Sequence, residues 1–235
     1  MRIVSFDIET SNLSAGFGTI ICAGFKTVGE GRAKVLSIAD FPGSRKDGTN
    51  DKPLVKAIYD ELMEADIWLT WYGQRFDIPF VNSRLLYHGL PLLPANHPHI
   101  DGWKTSRNHL KLGNNRLNTV QSFLRLPDEK THIKPDLWIK AIAGNRKALK
   151  YIEDHCKADV VVLEQAYERL RPLILDHPFT GRGVNGNCAI CGEGKLQKRG
   201  FHRSRTRVFQ RYQCQGCGSW SRDKNGKAAS DGKVE

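Results

Sequence analysis

Apolar and polar positions alternate at the start of the chain. In "RIVSFDIET", Ile3, Val4, Phe6 and Ile8 read as a strand that expects burial, here bounded at 2–9. Two further strands are predicted over 19–28 and 34–41, with Gly16, Gly18, Gly29 and Gly31 in the intervening turns. The pattern then changes period. Leu54, Val55, Ile58 and Leu62 recur at helical spacing from near Asp51, and Pro53 falls in the first turn. "DIWLTWYG" predicts a fourth strand, and "FDIPFVNSRLLYHGL" a helix that stops at Gly89. A short fifth strand is predicted near Ile100, then helices near 117–126, 135–143 and 146–171. Strands first, then alternating helix and strand, then helices, imply an α/β fold built on a mixed sheet flanked by helices.

The first strand poses a chemical problem. Asp7 and Glu9 are two residues apart, so their side chains share one face. Two neighbouring carboxylates in an apolar strand repel each other unless a cation or a proton neutralises them. Two more acids can join them. Asp77 follows the fourth strand in "WYGQRFD", and Asp159 lies in "YIEDHCKADVVVLEQAYERL". On that helix Tyr151, His155 and Asp159 are spaced by four and share a face. Singly, Asp77 could be a helix-start residue, and His155 with Asp159 an ordinary i,i+4 pair.

Taken together, the D-I-E-T strand, G-x-x-F-D and an aromatic or His four residues before an Asp-Val resemble the DEDD 3′→5′ exonucleases. The chain resembles in particular the proofreading domains of family B DNA polymerases and their stand-alone relatives. The resemblance spans about residues 1–170 and implies an RNase H-like fold. It also implies that Asp7, Glu9, Asp77 and Asp159 ligate two Mg²⁺ or Mn²⁺ ions. The chain departs from the pattern in two places. The Tyr-type subgroup has Tyr where His155 stands, and the His-type subgroup has its His one position earlier, at Asp154. His155 is therefore assigned as general base, with Tyr151 as the outside candidate. Tyr72 replaces an Asn common before the Gly of G-x-x-F-D. Phe76 and Leu13 are read as core or wall residues, Asp101 and Asp136 as structural acids, and His97 and His99 as solvated surface histidines. Cys22 and Cys156 are read as buried small hydrophobes.

Charge divides the chain unevenly. Residues 1–175 hold 24 Lys+Arg against 20 Asp+Glu, a net +4, and residues 176–235 hold 12 against 5, a net +7. Such a basic C-terminal quarter points to a polyanion partner. It also contains Cys188-x-x-Cys191 and Cys214-x-x-Cys217, separated by 22 residues. With no secretory leader expected, this pattern favours one structural Zn²⁺ over disulfides, and the segment resembles a zinc ribbon. Each pair ends in Cys-Gly, which suits a turn needing positive φ. Lys198, Arg199, Arg203, Arg205, Arg207 and Arg211, with Phe209, Tyr212 and Trp220 interleaved, are the candidate nucleic-acid contacts. The alternation of Arg203, Arg205 and Arg207 predicts three guanidiniums on one strand face.

These readings divide the chain into an RNase H-like domain (1–172), a linker (173–187), a ribbon (188–222) and a disordered tail (223–235). The expected activity is a metal-dependent 3′→5′ exonuclease on single-stranded 3′ ends, DNA ahead of RNA, with the ribbon aiding binding. The alternatives are a structure-specific endonuclease or RNA-processing nuclease on the same fold, and a non-catalytic nucleic-acid-binding adaptor. Replication or repair proteins are the partners such an enzyme would meet. No apolar run approaches the ~18–20 residues of a membrane helix, and a cytoplasmic address is the default expectation.

Overall fold

The computed structural model describes residues 1–42, 44, 50–127, 133, 135–178 and 186–228. The chain divides into two compact units, Met1–Arg169 and Leu170–Glu235. The first holds a five-stranded sheet of β1 (Ile3–Thr10), β2 (Ile20–Thr27), β3 (Lys34–Ser37), β4 (Ile67–Thr70) and β5 (His99–Asp101). Their order is β3-β2-β1-β4-β5. β1, β2 and β3 pair antiparallel, while β4 runs parallel to both β1 and β5, so the sheet is mixed. The third strand is shorter than expected. Ser37 caps a 3-10 turn at Ile38–Asp40 with a reciprocal Ser–Asp capping box, which diverts the backbone from the ladder.

β1 is the central strand, and its two faces have different tasks. Val4, Phe6 and Ile8 enter a core with Leu54, Val55, Ile58 and Leu62 of α1 (Lys52–Met63) and Phe80, Val81 and Leu85 of α2 (Asp77–Tyr87). A buried ion pair holds those helices. Arg84 donates from Nε (2.9 Å) and Nη2 (2.7 Å) to Asp51, which also accepts from the Ile20 backbone N–H. Alternation turns Asp7 and Glu9 to the other face. There a second core gathers Cys22, Ala148, Leu149, Ile152 and Cys156. Its helices are α5 (Pro135–Ile142) and the 25-residue α6 (Arg146–Leu170). α4 is Leu117–Phe123.

One helix escapes the sequence pattern. α3 (Gly102–His109) has no apolar stripe, and its start is set by Asp101, which accepts from the N–H of Trp103 and Lys104. The histidines before it also depart from expectation. His97 stacks on Trp68 at 4.0 Å, and His99 Nε2 bonds Thr70 Oγ1 at 2.8 Å. They are half-buried rather than solvated, and burial pushes His99 down to about 4. Among the described residues no helix is long and apolar enough to cross a membrane.

The second unit carries a four-stranded sheet of β6 (Leu196–Arg203), β7 (Arg207–Cys214), β8 (Trp220–Arg222) and β9 (Lys227–Ala228). The tail expected to be disordered from 223 is ordered as far as 228, because Lys227–Ala228 pairs with Arg207–Val208 of β7. Residues 229–235 lie outside the described residues, as do 179–185 of the linker. The arginine alternation also reads differently. Arg203 ends β6, Arg205 lies in the turn and Arg207 begins β7, so a hairpin separates the three and no single strand face carries them.

Candidate functional site

Asp7 and Glu9 lie at the C-terminal end of β1, and Asp77 opens α2 just beyond the parallel β4. The carboxyl ends of parallel strands are where open α/β sheets place ligands. The loop between β4 and α2 is held by Asp101, whose carboxylate accepts from the N–H of Tyr72 (3.0 Å) and Gln74 (3.1 Å). Tyr72 stands at φ 70, a left-handed conformation that Asn tolerates better than Tyr. Its ring meets Trp103 edge-on at 4.9 Å. Asp101 is thus structural, as expected. Asp77 then reaches back to β1, where its Oδ1 accepts from the Ile8 N–H at 3.1 Å.

α6 delivers the remaining groups. His155 Nε2 lies 3.4 Å from Asp159 Oδ2 and 3.9 Å from Glu9 Oε1. Ligand atoms of Glu9, His155 and Asp159 all lie within 4.8 Å of one another. α6 approaches this closely because of Gly24, the β2 partner of Asp7. A Cβ on Gly24 would stand 2.9 Å from the Cys156 carbonyl oxygen and 3.0 Å from its sulfur. Cys156 Sγ also lies 3.7 Å from Asp7 Oδ2. At the far end Lys26 pairs with Glu164 at 2.7 Å. Sequence reasoning missed Gly24 as a spacer, since a strand glycine signals close backbone approach only once its neighbour is known. Gly24→Ala is expected to cost about 1–3 kcal/mol through overpacking and to lower activity per folded molecule by displacing His155 and Asp159. Urea unfolding and rate per native chain check this. An unchanged midpoint and rate would contradict it.

Burial and mutual repulsion dominate the electrostatics of these acids. Burial raises the Asp7 carboxyl well above its ordinary value, and Asp77, Glu9 and Asp159 raise it further. Burial, then Asp159 and Asp77, push Glu9 to about 8. Burial lifts Asp77 to about 7 against the Ile8 N–H, with Asp101 adding to the rise. Burial also raises Asp159, while His155 opposes it. Carboxyls raised in the fold bind protons that the unfolded chain has released. Stability of the metal-free protein therefore falls as pH rises towards 8. Divalent cations held by these acids would compete with those protons, so their stabilisation should grow over the same range. From about pH 7 to 8.5 the melting temperature should drop without metal, and the rise on adding Mn²⁺ should be larger at the upper end. Equal Mn²⁺ shifts at both ends would contradict the acid cluster as the binding site.

A groove of about 330 Å³ adjoins Glu9, lined by Leu13, Phe76, Trp138 and Ile142 among others. Phe76 packs on Phe80 at 5.7 Å and also lines this groove. Leu13 is 85% exposed and lines the groove, so of the two expected roles it takes the wall and not the core. Tyr151 is half-buried, one turn of α6 before His155.

In the second unit all four cysteines converge. Cys188 Sγ is 3.7 Å from Cys217 Sγ, and Cys191 Sγ is 3.5 Å from Cys214 Sγ. All four sulfurs lie within 4.8 Å of one another, and none is in a disulfide. Four Zn–S bonds of ~2.3 Å in a tetrahedron separate sulfurs by ~3.8 Å, so this group could hold Zn²⁺. The turns supply N–H donors, Ile190 to Cys188 Sγ (3.4 Å) and Gly216 to Cys214 Sγ (3.3 Å). Gly192 (φ 84) and Gly218 (φ 74) take the positive φ expected of them.

Of the expected nucleic-acid contacts, Phe209 and Arg211 share one face of β7, with Arg207, by alternation. Arg211 stacks over Trp220 at 4.3 Å. Lys198 and Tyr212 are cross-strand partners on the other face, as is Arg203 opposite Val208. Tyr212 donates its hydroxyl to Asp223 Oδ1 at 2.9 Å. Arg199 sits at a β6 irregularity and Arg205 in the turn.

Comparison with known proteins supplies the frame for this geometry. The model of the RNase H superfamily matches residues 4–171. No curated protein matches the chain. Among solved structures, the chain is similar to a family B DNA polymerase from the hyperthermophilic archaeon Pyrobaculum calidifontis. The TM-score is 0.55 at 13% sequence identity. The match covers 88% of this chain and 31% of that one, so the chain spans less than a third of the polymerase's length.

Proposed function

Because this chain belongs to the RNase H superfamily, we propose that its acid cluster hydrolyses phosphodiester bonds from the 3′ end of single-stranded nucleic acid. DNA is the proposed substrate, by the likeness to a DNA polymerase. What supports the reading is the approach of Glu9, His155 and Asp159 to within 4.8 Å of one another, with Asp7 on the same face of β1 and Asp77 tied to the Ile8 N–H between them at 3.1 Å. These four oxygen-donor side chains fit two Mg²⁺ or Mn²⁺ ions. When bound, such ions would neutralise the cluster, acidify the attacking water and stabilise the leaving 3′ oxygen.

The chain's own residues do the rest. Asp7 and Glu9 are fixed by the β1 ladder, and the Ile8 N–H orients Asp77. His155 accepts the proton of the attacking water, and Asp159, 3.4 Å away, stabilises the imidazolium that forms. The exposed Leu13 and the half-buried Phe76 offer apolar surface for a terminal base. The four cysteines hold one Zn²⁺ that folds the ribbon, and the ribbon adds affinity for the substrate.

The test is release of mononucleotides from a single-stranded oligonucleotide with Mn²⁺, Mg²⁺ or EDTA, for the wild type and His155→Ala. Metal-dependent release, with the mutant slowed about 10²-fold or more, supports the assignment. Binding without hydrolysis under any metal would make the chain an adaptor.

A further inference from the structure

The basic ribbon has two unequal faces. Arg211 of β7 is the direct cross-strand partner of Arg222 of β8. Like charges placed opposite each other destabilise a sheet. Among the described residues no carboxylate pairs with either guanidinium. Between residues 188 and 228 there are ten Lys and Arg against two acids, and Asp223 Oδ1 accepts from Tyr212. What holds the two arginines is aromatic stacking on the diagonal neighbours. Arg211 lies over Trp220 at 4.3 Å, and Arg222 over Phe209 at 4.6 Å. His202, the cross-strand partner of Phe209, approaches its ring to 5.9 Å.

The geometry points to this face as a binding platform for single-stranded nucleic acid, with a phosphodiester seated between Arg211 and Arg222 and a base stacked on Trp220. The inference rests on the nucleic-acid reading above and deepens it. It adds Arg222 to the site and leaves out Tyr212, whose hydroxyl is committed to Asp223. A phosphate supplies the charge that the opposed guanidiniums lack, and cation–π contact holds both planes ready for it. Trp220 is 42% exposed, enough to offer a ring to a base. Bases of a duplex are already stacked on one another, so an aromatic platform selects unpaired nucleotides. An acidic peptide would match the charge but leave the rings unused.

The test measures fluorescence anisotropy of a labelled single-stranded oligonucleotide and of its duplex. The full-length Asp7→Asn chain is titrated in chelator-free buffer over a KCl series, with zinc content checked for each variant. Arg211→Ala with Arg222→Ala should raise Kd at least tenfold. It should also flatten the slope of log Kd against log [KCl] by about 0.7, the value for one single-strand phosphate. Trp220→Ala should raise Kd roughly fivefold or more with the slope unchanged. Replacing both arginines by Lys should restore the slope and leave part of the affinity lost. Phe201→Ala, on the opposite face, should bind as the parent does. Unchanged Kd and slope in the arginine variant, duplex bound as tightly as single strand, or displacement by polyglutamate at equal charge would each overturn the platform. Wild-type cleavage is assayed alongside. Cleavage with unaltered variant binding rejects the platform alone, whereas absence of cleavage rejects the nuclease reading and leaves the platform to its own data.

Discussion

Asp7→Asn is expected to lower the proposed metal-dependent cleavage by on the order of 10³-fold or more while the chain keeps its fold. Asp7 sits in the ladder of the central strand, opposite Gly24 and beneath α6. It is the carboxyl on which burial and the charges of Asp77, Glu9 and Asp159 all converge. Asn preserves the shape and removes the charge that a pair of divalent cations requires. It also removes a buried repulsion, so the metal-free variant should melt no lower than the wild type, and higher near pH 8. Its Mn²⁺-induced stabilisation should be largely lost. Retained cleavage would remove Asp7 from the site, and a large drop in melting temperature would show that its role is structural.

Cys214→Ser has the second large effect, confined to the other unit. In the described part of 186–228 the buried residues are Cys188, Val208, Cys214 and Ser219, so Val208 is the one buried aliphatic side chain. A sheet with so small a core does not fold on apolar burial alone. Zinc-site formation contributes about 10–16 kcal/mol in comparable small modules, and loss of one thiolate would open the tetrahedral site proposed for these cysteines. Zinc content should fall from one per chain towards none, and protease should remove the region from about residue 186 onward. Met1–Arg169 has its own two cores and should persist as a resistant fragment. Cleavage of saturating substrate should slow far less than binding weakens. Full zinc content in the variant would refute the four-cysteine site.

Much of the site was legible because periodicity places side chains on faces. Asp7 and Glu9 share a face by strand alternation, and His155 and Asp159 by helical spacing, and both relations hold in three dimensions. Two C-x-x-C turns likewise announced a cluster that distance then bears out. What stayed hidden depends on partners distant in sequence. His97 looked solvated in its Pro-rich loop until Trp68 was found beneath it. Leu13, read as core or wall by residue type, lines the groove but is left 85% exposed by the 11–18 loop. α3 carries no apolar signal, and the capping by Asp101 that starts it also positions the loop before Asp77. The arginine alternation failed because nothing in "RSRTR" distinguishes a strand from the hairpin turn that Ser204 forms, its hydroxyl accepting from the Arg207 N–H.

One measurement tests the central claim most directly. A 5′-labelled single-stranded DNA is incubated with the full chain and Mn²⁺, and the products are resolved at single-nucleotide resolution. The account predicts a ladder that shortens from the 3′ end one nucleotide at a time, absent in EDTA and absent with Asp7→Asn. Discrete internal fragments, or an intact oligonucleotide at enzyme excess, would contradict it.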